Sequence, residues 1–103
     1  MAMLHTVNKS PFERRTLDSC LRHAVKGSAI LLIEDGVYAT RKNSSAAARV
    51  QEALEKNHTV YALQPDLQAR GMSPESVIEG VELVDYDGFV KLTTEYDKTQ
   101  SWL

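Results

Sequence analysis

Short apolar runs alternate with longer amphipathic stretches along this chain. Met3–Val7, Ala29–Ile33, Thr59–Leu63 and Val81–Val84 have the length of β-strands. Two of them are unbroken enough to be buried on both faces, as parallel strands are. The best-marked helix lies between the first two. Ser10-Pro11-Phe12-Glu13 offers an N-cap serine, a proline at the first helical position and a glutamate able to bond back to the Ser10 N–H, which together make a capping box. Leu17, Cys20, Leu21 and Ala24 then follow on one helical face, and Gly27 stands where a left-handed residue would stop the helix.

Later elements are more weakly marked. Asp35-Gly36 turns the chain, Val37–Thr40 can begin a helix, and Arg41-Lys42-Asn43 interrupts it. Ser44 or Ser45 can then cap a helix to about Lys56 whose face is Ala47, Val50 and Leu54, with Ala46 and Ala53 alongside. Pro65–Arg70 reads as a short helix closed by Gly71, and Ser73-Pro74-Glu75 caps a brief turn. Asp85 caps a last helix with Phe89, Leu92, Thr93 and Tyr96 on one face. Strands alternating with helices predict a single three-layer α/β domain, its mostly parallel sheet covered by helices on both faces.

Composition narrows the function without naming it. The 103 residues fit one domain, expected to span 1–103. A chain of this mass should expose roughly 5,800 Å² when folded, which leaves room for one core and little more. Twelve Lys+Arg against 14 Asp+Glu give a formal charge of −2, without the basic excess expected of a nucleic-acid binder. No apolar run reaches the ~20 residues of a membrane span, and Met1–Ser10 has neither the basic start nor the apolar stretch of a secretory signal. The single cysteine fits a reducing, cytoplasmic setting.

Ligands of open α/β sheets bind at the carboxyl ends of the strands. Those ends carry Glu34, Asp35, Asp66, Asp85 and Asp87 and no glycine-rich phosphate loop, which disfavours a nucleotide or flavin site. Asp35, Asp66 and Asp85 stand where carboxylates cap helices or form turns. His5, His23 and His58 lack metal-ligand spacing, so neither a metal nor a cofactor is expected. Cys20 is the candidate reactive group. Its place in the apolar stripe favours a buried core thiol, while Arg15, Arg22 and His23 nearby keep thiol chemistry open. Trp102 and Leu103 end the chain as an apolar pair, either folded back on the domain or anchored in a partner. A free-standing, flavodoxin-shaped small-molecule binder is the reading from another class.

The segments Leu4-His5-Thr6-Val7-Asn8-Lys9-Ser10-Pro11-Phe12, Leu31–Ala39, Val60–Gly71 and Val84–Thr93, with the terminal Trp102, together resemble the DsrH/TusB sulfur-relay subunits over nearly the whole chain. Arg41–Ala48 is the main stretch outside the pattern. The resemblance implies a DsrE/F/H-like domain with four to five strands. It also implies a heterohexamer with DsrE/TusD-like and DsrF/TusC-like subunits, which passes persulfide sulfur to a DsrC/TusE-like acceptor. The main catalytic cysteine of such a complex belongs to the DsrE/TusD-like partner, and neither membrane nor direct nucleic-acid binding is implied. Cys20 matches a helix-one cysteine of DsrH chains that TusB-like chains commonly lack. With the V-N-K-S-P-F-E-R opening and the Gln100–Leu103 end, it points to the branch serving cytoplasmic, dissimilatory sulfur oxidation. The alternatives are a TusB-type relay for 2-thiolation of tRNA wobble uridine, or a purely structural subunit with an inert Cys20. One thiol without a resolving partner cannot complete a relay alone, so Cys20 could serve only as one station.

Overall fold

A computed structural model describes residues 3–12, 15–25, 27–96 and 98–102. Five parallel strands, β1 (Leu4–Val7), β2 (Ala29–Leu32), β3 (Thr59–Leu63), β4 (Glu82–Val84) and β5 (Thr99–Trp102), form one sheet in the order β4-β3-β2-β1-β5. The helices are α1 (Thr16–His23), α2 (Ala47–Glu55), α3 (Gln64–Ala69) and α4 (Tyr86–Glu95), with 3₁₀ segments at Glu34–Thr40 and Pro74–Ser76. No helix among the described residues is long and apolar enough to cross a membrane.

Strand order sorts the helices onto faces. The chain steps β1→β2→β3→β4 in one direction and then returns from β4 to β5 in the other. If every crossover keeps the right-handed sense, the return helix must lie on the opposite face. The packing agrees. Val7, Ile30, Leu32, Val60 and Ala62 meet Leu17 and Cys20 of α1 and Val50 and Ala53 of α2. Leu4, Ala29 and Leu31 meet Leu92 of α4, with Tyr61, Phe89 and Tyr96 at the margin. Register fixes this two-residue alternation across the sheet, pairing Leu4 with Ala29 and Ala29 with Thr59. The central strand β2 is buried along its whole length.

Several boundaries depart from the sequence reading. Helix α1 begins at Thr16, and its N-cap residue Arg15 makes no side-chain cap. The Ser10 hydroxyl instead accepts the Phe12 N–H at 3.2 Å, a local serine turn that competes with helix formation. Glu13, the other half of the expected capping box, lies outside the described residues. Gly27 has the expected left-handed backbone (φ +85°) but serves the turn closed by Ser28 N–H on Val25 C=O, since α1 already ends at Ala24. Neither Ser44 nor Ser45 caps α2, which starts at Ala47 after Ala46. Strand β5 was not marked by any apolar run. Gly36 lies so close over the end of β1 that a Cβ there would sit 2.2 Å from the Val7 carbonyl oxygen, which leaves glycine as the residue that fits.

Candidate functional site

Three of the carboxylates at the strand ends, Asp35, Asp66 and Asp85, are occupied within the domain. Asp35 Oδ1 accepts Arg70 Nε at 3.0 Å and Nη2 at 2.8 Å. Arg70 Nη1 also donates to the Asp66 carbonyl at 3.1 Å, and the guanidinium lies 5.9 Å over the Tyr38 ring. Asp66 Oδ2 accepts the Glu34 N–H at 2.6 Å, fastening the end of β2 to α3. That bond accompanies a left-handed Glu34 (φ +49°), a conformation costing a non-glycine residue about 1 kcal/mol or more. Asp85 Oδ1 accepts the Gly88 N–H at 2.8 Å and caps α4, as expected. Arg70 had not been singled out in the sequence, and Glu34 only as one of the strand-end carboxylates, because their partners lie more than 30 positions away.

Cys20 lies on the inner face of α1 with no exposed surface, a free thiol within the larger core cluster. Burial pushes its pKa up to about 12, since an apolar surrounding disfavours the charged thiolate. The thiol therefore stays protonated at neutral pH rather than in its nucleophilic form. Arg15, Arg22 and His23, the neighbours that could have supplied positive charge, are exposed, and His23 Nδ1 lies 2.8 Å from the Ser19 carbonyl.

The histidines, far apart in sequence, are drawn together by the fold. Trp102 ends β5 opposite Val7, and its Nε1–H donates to His5 Nδ1 at 3.0 Å. An indole nitrogen only donates, so His5 must be neutral with its proton on Nε2. Burial, and secondarily the charge of His58, lower the His5 pKa and favour that form. The His23 ring centroid also lies 5.7 Å from that of Trp102. Trp102 is thus half-buried and packed against the same cluster that holds Cys20. Leu103 lies outside the described residues. Among the described residues, no three His, Cys, Asp or Glu side chains gather as metal ligands. The signal for the His5 contact was present in the sequence as a polar residue inside an apolar strand, but its partner was not.

Comparison with known proteins agrees with this architecture. The protein named TusB from Pectobacterium parmentieri is 38% identical over 97% of this chain and 100% of its own length. TusB of Escherichia coli is 34% identical over the same shares. The solved structure of the ychN protein from E. coli superposes with a TM-score of 0.85 over 99% of each chain at 18% identity. A protein of unknown function from Methanobacterium thermoautotrophicum gives 0.77 over 97% of this chain and 96% of its own, at 21% identity. These two likenesses establish the fold alone. The family of DsrH-like proteins matches residues 9–99, and with the TusB relatives at full length, the chain belongs to the DsrH/TusB family.

Proposed function

We propose that this chain is a structural, TusB-type subunit of a cytoplasmic sulfur-relay complex. It completes an assembly in which DsrE/TusD-like and DsrF/TusC-like subunits pass persulfide sulfur to a TusE-like acceptor for 2-thiolation of tRNA wobble uridine. The complete burial of Cys20 is the observation that carries the structural role, because a relay station must offer a thiolate to donor and acceptor in turn. Chemistry then falls to a cysteine of a partner. The TusB relatives favour the tRNA branch over the dissimilatory branch to which Cys20 and the chain ends had pointed.

The test is sulfur transfer by the reconstituted complex. With Cys20→Ser, transfer to the acceptor should stay within about twofold of the unsubstituted rate, and intact-mass analysis should find no +32 Da species on this chain. Slower transfer, together with a +32 Da species that Cys20→Ser removes, would make Cys20 a carrier. The branch is read separately. Deleting the gene should lower 2-thiouridine derivatives in digested tRNA. A normal thiouridine content with impaired oxidation of reduced sulfur would restore the dissimilatory reading.

A further inference from the structure

The two faces of the sheet are unequally covered. Helices α1 and α2 both pack on one face, whereas among the described residues α4 is the single helix in the cluster on the other. Five strands at ~4.8 Å spacing span roughly 20 Å. One helix with its side chains is about 10 Å wide, so α4 does not roof that face by itself.

The uncovered part lies toward β5. Gly88 marks the side of α4 that turns to β4, since a Cβ there would sit 3.0 Å from the Val84 Cβ. Tyr86 and Val90 each stand two positions from Gly88, hence about 160° around the helix from it, on the side away from β4. They are 60% and 63% exposed, the highest values among the exposed large hydrophobic residues described. On that side the sheet ends in Thr99 and Ser101, which pair with Leu4 and Thr6, share the α4 face and are exposed. Strand β5 is also an open edge, and Thr99–Trp102 has neither the charge nor the proline that usually protects one.

Charge selects the occupant. Asp85, Asp87 and Glu95 are exposed and in no ion pair among the described residues, while Lys91 is the one cation of α4. The shelf is therefore apolar along Tyr86 and Val90 and acidic beside them. A second copy would bring the same net negative charge, so complementarity favours a surface carrying Lys or Arg.

We propose that the shelf between α4 and β5 receives an amphipathic helix of another subunit, its apolar stripe against Tyr86 and Val90 and its Lys or Arg residues toward Asp85 and Asp87. Such a helix fills on this face the place that a second helix occupies on the other. The inference rests on the relay-complex reading above and adds the surface and chemistry of one contact.

The test reconstitutes the full chain with co-expressed DsrE/TusD-like and DsrF/TusC-like subunits, followed by native mass spectrometry and amide hydrogen exchange. Amides of α4 should exchange about tenfold more slowly in the complex than in the isolated chain. The segment protected on the partner should be a helix bearing Lys or Arg. Val90→Lys should weaken assembly about tenfold, as at a central apolar contact. Asp87→Lys should slow association and flatten its dependence on salt. Val25→Lys, which charges an exposed apolar residue after α1, should change neither. Val90 and Asp87 are exposed, so both variants should keep the Tm of the unsubstituted chain. If the unsubstituted chain joins no complex, the subunit reading fails and this contact with it. A complex that leaves α4 unprotected, or that tolerates Val90→Lys, would overturn the contact while the subunit reading stands. A dimer of the isolated chain that Val90→Lys dissolves would give the shelf to a second copy and equally overturn the proposal.

Discussion

At the scale of single residues, the contact between Trp102 and His5 ties the chain end to the first strand, and it requires an uncharged imidazole. In the unfolded chain His5 titrates near 6.5, and in the fold its pKa is lower because it is buried near His58. Between those two values the unfolded state binds more protons. The stability this contact confers is therefore complete above about pH 6.5 and declines as pH falls below it. Thermal unfolding followed from pH 7.5 to 5 should give a falling Tm, accompanied by a change in the emission of Trp102, the single tryptophan. His5→Gln, which keeps an acceptor and does not titrate, should flatten both curves. An equally steep decline in that variant would assign the pH dependence to other groups.

At the scale of elements, caps mark which sequence signals survive folding. Asp85 and Ser10 looked alike as N-cap residues, yet only Asp85 performs that role. Asp85→Ala should destabilise the domain by about 1 kcal/mol in urea unfolding, the usual loss on removing a cap. An unchanged midpoint would mean that α4 is held by Leu92 and its neighbours alone. Ser10 differs because its hydroxyl closes a turn on Phe12 before α1 begins, so its substitution tests the loop rather than the helix. Strand β5 is the opposite case, an element with almost no signature. Thr99, Gln100 and Ser101 are exposed on an edge strand, so the pairing with β1 rests on backbone hydrogen bonds and on the Thr6–Ser101 and Trp102–His5 side-chain bonds, which leave no apolar alternation to read.

For the whole molecule, the accessible surface of 5900 Å² and the radius of gyration of 12.2 Å are those of a self-sufficient domain of this length. Its core is closed without a partner, so assembly must use a surface that already exists. We propose that Trp102 and Leu103 bind a partner along the edge of the sheet at β5. Removing Trp102 and Leu103 should reduce the abundance of the proposed complex in native mass spectrometry more strongly than it lowers the Tm of the isolated chain. The converse, intact assembly with a less stable monomer, would confine the tail to its own domain through the His5 bond.

The sequence by itself determined the alternation of strands and helices, the faces of α1 and α2 and, apart from the exposed Thr93, that of α4, with the Asp85 cap and the place of Cys20 in the core stripe. These are local properties, set by periodicity and by side chains bonding within a few residues. Only the tertiary structure decided the strand order, the pairing of β5 with β1 and the use of Asp35 and Asp66 as fasteners. It also decided the meeting of His5 with Trp102. Each of these joins groups 21 or more positions apart, and their proximity comes from sheet register and crossover direction, which a linear pattern does not encode.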